Sequence, residues 1–105
     1  MAVRLQLDRY VVDTLMPDLV GHDKQPSAFI VYLYLWSRGK RPAVSLQQMA
    51  LDTGLSKSAV QKAIRTLRRR RLVTSRQASA TSVPEYTIAA PWRKQEQRRK
   101  GESKN

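Results

Sequence analysis

The side chains with the clearest chemical meaning are the guanidinium and ammonium groups of residues 56–71, where seven basic residues stand with no acidic one. At their ordinary pKa values such groups hold their protons at neutrality and act by pairing with fixed negative charge, phosphate above all. Their distribution along the chain is uneven. Residues 1–55 carry six basic and five acidic side chains, whereas residues 56–105 carry fourteen and three. An asymmetry of this size implies a polyanionic partner, with nucleic acid ahead of an anionic membrane surface. A surface that is basic only for solubility explains a modest excess, not an acid-free run of this length.

Other chemistries are poorly supplied. The chain has no cysteine, so a disulfide, a thiolate nucleophile and a cysteine-ligated zinc are all excluded. His22 is the one histidine, too few for an imidazole-built metal site. In the polar stretch 22–26 it reads as a solvated or capping side chain. The eight carboxylates are scattered, with no paired motif, nucleotide-binding glycine loop or activated nucleophile. No catalytic or metal-ligating residue is therefore assigned, and neither enzyme activity, a cofactor nor a small-molecule ligand is expected. The longest apolar run, residues 29–36, falls far short of the roughly 20 residues that span a bilayer, and it does not resemble a signal peptide. The expectation is a soluble cytoplasmic protein, nucleoid-associated if its polyanion is DNA. A chain of 105 residues suits one domain with its own core.

The elements that must position these charges follow from pattern and punctuation. Val3, Leu5 and Leu7 alternate with polar residues as in a short strand. From Asp8, a potential cap, Tyr10, Val11, Thr14 and Leu15 fit one helix face, which Pro17 should end or restart. Ser27 reads as an N-cap and Arg38-Gly39 as a stop, so residues 29–36 are predicted as a buried helix, although their propensity also suits a strand. Its aromatic row, Phe29, Tyr32 and Trp36, is read as core in preference to a base-stacking platform. Residues 39–43 are a connecting loop. Ser45 opens a second helix with Gln48 as its capping-box partner, and Gly54 ends it. Ser56 caps a third helix over 56–71 with Val60, Ala63, Ile64 and Leu67 inward. Leu72 and Val73 begin a strand, residues 77–82 turn, and 83–88 form a second strand with Pro84 at a sheet edge. The organisation is an N-terminal segment over 1–26, a domain over 27–90 and a basic, flexible tail over 91–105. That tail holds Arg93, Lys94, Arg98, Arg99, Lys100 and Lys104, and Trp92 is its one large apolar residue.

The run SLQQMALDTGLSKSAVQKAIRTLRRRRLV, residues 45–73, resembles the winged helix-turn-helix of bacterial transcription regulators of the MarR and GntR kinds. It is also similar to the winged helices of phage and plasmid replication proteins. Ala50 is small where two helices cross, Gly54 stands where a positive φ is easiest for glycine, and Leu55 and Val60 fill the angle between the helices. One position departs: Arg71 stands where such winged helices commonly have a glycine that closes the helix in a left-handed conformation. The resemblance implies a mainly α fold with a small β-hairpin wing (α+β), a three-helix core plus the N-terminal segment.

The resemblance also implies double-stranded DNA as partner, with helix 56–71 in the major groove. Lys57, Ser58, Gln61, Lys62 and Arg65 are then expected at base edges or nearby phosphates, Gln61 with amide geometry for adenine and Arg65 with the fork for guanine. The arginines of residues 68–71, Arg68 and Arg69 among them, are expected at phosphates, and Arg76 on the wing. A sequence-specific transcription regulator acting as a homodimer through residues 1–36 is the leading expectation. A replication or partition factor, or an RNA- or protein-binding winged helix, is the alternative.

Overall fold

The computed structural model describes residues 6–93. A helical N-terminal segment leads into helices α1 (Pro26–Ser37), α2 (Leu46–Thr53) and α3 (Lys57–Arg69), followed by strands β1 (Val73–Arg76) and β2 (Glu85–Ile88). The fold is a winged helix-turn-helix: α2 and α3 form the helix-turn-helix on α1, and the antiparallel hairpin is the wing.

The N-terminal segment is built of two π-helical stretches, Val11–Leu15 and Pro17–His22. Pro17 removes a donor and crowds the carbonyl four residues back, and the segment passes it in widened turns that restart on its far side. Val11, Leu15 and Leu19 are buried at four-residue spacing, while Tyr10 and Thr14 are exposed, so the inward face differs from the expected one. Asp8 does not cap with its side chain. At the helix start its main-chain carbonyl accepts from the Val11 N–H at 3.0 Å. The helical path also runs on through His22, leaving a loop of only 23–25 in which Lys24 has φ 55°.

Residues 29–36 are helical, as predicted, but the start differs. Pro26 stands in the first turn of α1, Gln25 precedes it, and no side chain caps the helix. Ser27 is therefore inside the helix; proline, with its φ already fixed and no N–H to satisfy, opens it instead. Ala28, Val31, Tyr32 and Leu35 are fully buried. The helix is apolar nearly all round because α3 covers one side, the N-terminal segment another, and α2 and β2 meet it as well.

Both later helices start where their serines place them. Ser45 Oγ accepts from the Gln48 N–H at 3.0 Å, and Ser56 Oγ from the Ala59 N–H at 3.1 Å. The capping box of α2 is half made, because the Gln48 side chain turns to Asp52 Oδ1 (2.9 Å) instead of back to the cap. Gly54, at φ 80°, ends α2. Arg71 takes the left-handed conformation itself, at φ 59°. The Leu72 N–H donates to the Leu67 carbonyl (2.9 Å) and the Arg71 N–H to that of Arg68 (3.0 Å). These are the two bonds of a Schellman motif, so the helix closes as it would with glycine.

The wing pairs Val73 with Ile88 and Arg76 with Glu85 at its two ends. Its second strand begins at Glu85, two residues later than expected, and its outer side is not an open edge. The Tyr86 N–H donates to the Pro42 carbonyl (2.9 Å) and the Val44 N–H to that of Pro84 (3.2 Å), with a bridge between Ala43 and Glu85. The stretch predicted as a plain connection thus adds a short third rung to the sheet. Pro91 to Arg93 are ordered too: Trp92 is 6% exposed and stacks on Tyr10 at 4.6 Å and on Trp36 at 6.3 Å. Its indole N–H donates to Asp8 Oδ2 (2.8 Å), which Arg93 also binds (2.6 Å). The alternation at Val3 and Leu5 and the tail charges from Lys94 onward lie outside the described residues.

Candidate nucleic-acid interface

Helix α3 divides cleanly by period. Val60, Ala63, Ile64, Thr66 and Leu67 are buried, and Lys57, Ser58, Gln61, Lys62, Arg65, Arg68 and Arg69 are all exposed. Burial of the first set against α1 and α2 fixes which way the second set points. Seven of the eight residues singled out from the sequence therefore share one helix face, and the eighth, Arg76, is exposed at the end of β1. Among the described residues, Lys57, Lys62, Arg65, Arg68, Arg69, Arg71 and Arg76 make no ion pair with a carboxylate. Their charge is available to an external anion.

A shallow groove separates α3 from the wing. Gln61, Arg65 and Arg68 line it from the helix, and Ser75, Gln77 and Tyr86 from the hairpin. Gln77 closes the wing turn through its amide, which donates to the Ser82 carbonyl at 2.6 Å. Tyr86 is almost wholly buried where it lines the groove, and that burial raises its phenol above its ordinary pKa.

Two polar clusters join the helix-turn-helix to the elements around it. Asp52 on α2 accepts from the Tyr34 hydroxyl (2.6 Å) and Arg38 (3.2 Å) of the α1 end, and from Gln48 (2.9 Å). The Tyr34 hydrogen bond is the largest influence holding its carboxyl below the usual range, with Gln48 and the Arg38 charge adding to it. These bonds tie α2 to the end of α1.

The second cluster corrects the expectation for the arginine run. Arg70 does not join the exposed face: its Nη1 donates to Asp23 Oδ2 at 2.8 Å and its Nη2 to Asp18. The hydrogen bond to Asp18 and the two nearby carboxylate charges hold its guanidinium pKa above the ordinary value. His22 Nδ1 lies 3.0 Å from Asp23, and that hydrogen bond, with the Arg70 charge, keeps the Asp23 carboxyl low. The ligand-type atoms of Asp18, His22 and Asp23 lie within 4.8 Å of one another, and Arg70 supplies the positive charge there. The signal for this was present in the sequence. Arg70 follows Ala63, Thr66 and Leu67 at helical spacing, so the period that buries those three turns Arg70 inward as well.

No helix among the described residues is long and apolar enough to cross a membrane. Comparison with curated proteins and with solved structures gives no significant match. Residues 22–73 match the model of a family described as a helix-turn-helix domain, a stretch that opens at His22 and closes on the first residue of β1. By that match and by its fold, the protein carries a helix-turn-helix domain of the winged kind, and such a domain suggests DNA as its class of partner.

Proposed function

We propose that the protein is a sequence-specific double-stranded DNA-binding protein, a bacterial-type transcription regulator that reads DNA with α3 in the major groove. The observation that carries this reading is the exposed face of α3: five basic side chains, an amide and a hydroxyl, free of carboxylate partners, on a helix whose other face is core. A major groove admits one such helix, and its N-terminal part lies closest to the bases. Lys57, Ser58, Gln61, Lys62 and Arg65 then meet base edges or adjacent phosphates. Arg68 and Arg69 meet the backbone, where they also suit the negative end of the helix dipole, and Arg76 approaches it from the wing.

One such helix reads few base pairs, and a homodimer is the usual solution. Support comes from the exposed apolar residues Val12, Met16 and Val20, four apart on the N-terminal segment, with Tyr10 and Ile30 also about two-fifths exposed. A second copy of the chain is the proposed occupant of that face.

The test is fluorescence anisotropy with a labelled DNA duplex across a salt series, comparing the intact chain with a Lys62→Glu/Arg65→Glu variant. At about 1–3 kcal/mol per specific contact, the double reversal is expected to weaken binding by roughly a hundredfold or more. Undiminished binding by the variant would move the interface off α3. Equal or tighter binding of duplex RNA would favour the RNA-binding alternative, because the deep, narrow A-form major groove excludes a helix.

A further inference from the structure

We propose that Arg70 is a positioning residue for DNA recognition: clamped by Asp18 and Asp23, it fixes the C-terminal end of α3 against the N-terminal segment and does not itself contact DNA. This inference rests on α3 being the reading helix.

The geometry separates Arg70 from its neighbours. Arg68, Arg69 and Arg71 are exposed, whereas the Arg70 side chain is 30% exposed with both terminal nitrogens engaged. Its two acceptors are themselves linked, since the Asp23 N–H donates to the Asp18 carbonyl at 2.8 Å. The carboxylates thus form one fixed cradle at the end of the N-terminal segment. Arg70 is the C-cap of α3, with its own N–H on the Thr66 carbonyl at 3.0 Å. The next residue, Arg71, makes the left-handed turn into the wing.

The clamp therefore sits where the axis of α3 and the departure of β1 are both decided. The core beneath α3 is apolar, and burial of apolar surface is non-directional. A forked guanidinium on two fixed carboxylates is directional. Base readout needs a helix held to within about half an ångström, whereas attraction to phosphate does not. The clamp should govern sequence preference and leave the charge-driven part of binding alone.

Two duplexes of equal length test this: one recovered by selection from random sequence with the intact chain, and one of mixed sequence. Arg70→Gln, Arg70→Lys, Asp18→Asn/Asp23→Asn and Arg69→Gln are compared with the parent, each shown folded by circular dichroism at the assay temperature. Arg70→Gln and the double asparagine variant are expected to lose about tenfold in preference for the selected duplex, with the parent's salt dependence retained. Arg70→Lys, which keeps the charge and part of the bonding, should fall between them and the parent. Arg69→Gln should instead lower the salt slope by about one and keep the preference.

If Arg70→Gln lowers the salt slope as Arg69→Gln does, and freeing Arg70 in the double asparagine variant strengthens binding, Arg70 is a phosphate contact and the proposal is wrong. It is equally wrong if the clamp variants melt earlier yet keep the parental preference, which would make the clamp a stabilising contact only. Should Arg70→Gln fail to fold, Arg70→Lys and the asparagine pair decide between these outcomes. A parent chain that prefers no duplex would instead sink the reading of α3 itself, and the clamp's role with it.

Discussion

Arg71 carries two demands at one position. Its φ of 59° costs an L-residue about 1–2 kcal/mol, a cost glycine avoids. Glycine gives part of that back through the greater freedom of its unfolded chain. Arg71→Gly is therefore expected to raise stability by about 0.5–1 kcal/mol, read as a higher denaturant midpoint with unchanged slope. On the proposed function, the same substitution lowers the salt dependence of DNA binding by about one unit if Arg71 meets a phosphate. A fall in stability would mean that the side chain makes contacts worth more than the strain. The sequence marked this position as a departure from glycine, and the chain's solution is to bear the strain and keep the helix end intact. Arg70 was less legible. Its inward turn follows from the helical period, but the partners Asp18 and Asp23 stand 52 and 47 residues away, and no local pattern names them. Asp8 illustrates the same limit: it was read as a cap, and its carboxylate is occupied by Trp92 and Arg93 across the length of the chain.

At the scale of elements, legibility followed the distance between a signal and its effect. The starts of α2 and α3 were readable because Ser45 and Ser56 bond backbone N–H groups three residues on, and Gly54 marks its own turn. The start of α1 was not, because two adjacent residues can each open a helix and Pro26 prevailed over Ser27. The rung that residues 42–44 add to β2 joins backbone separated by about forty residues, which pairing propensities cannot foresee. The N-terminal segment was legible as helical but not as widened around Pro17. Its outer face leads to a prediction: Met16 is 40% exposed between Val12 and Val20, so Met16→Glu should leave the fold intact while placing like charges at the centre of a self-paired face. Sedimentation equilibrium should then show a dimer for the parent and a monomer for the variant. A dimer in both would put the contact elsewhere, and a monomer in both would remove the homodimer from the proposed function.

The whole molecule is held partly by carboxylates whose partners lower their pKa. Arg93 is the main influence on Asp8, His22 on Asp23 and Tyr34 on Asp52. Each of these groups ionises at lower pH in the folded chain than in the unfolded one. Their contribution is complete above the ordinary carboxylate range near pH ~4 and is lost as pH falls through the depressed values, because the unfolded chain takes up the protons first. The melting temperature should therefore drop steeply below about pH 4. Asp8→Asn should start lower at neutral pH and lose less on acidification, giving curves that converge in acid. Parallel curves would show that the Asp8 carboxylate contributes nothing through its ionisation. This dependence was invisible in the composition, where the eight carboxylates looked scattered; folding gathers Asp8, Asp18, Asp23 and Asp52 onto basic or hydroxyl partners.

Trp92 and Trp36 are the only two tryptophans in the sequence, and they lie stacked 6.3 Å apart in the seam where residues from both ends of the chain meet. Light absorbed selectively by indole is thus absorbed at that seam and nowhere else. Emission from the intact chain reports on one place, the stacking of Trp92 between Tyr10 and Trp36, with α3 and the wing contributing no indole of their own. The molecule comes with an optical gauge built in: a red shift records Trp92 leaving Tyr10 and Trp36, and the proposed DNA-reading surface can be titrated without disturbing the signal that shows this stack is closed.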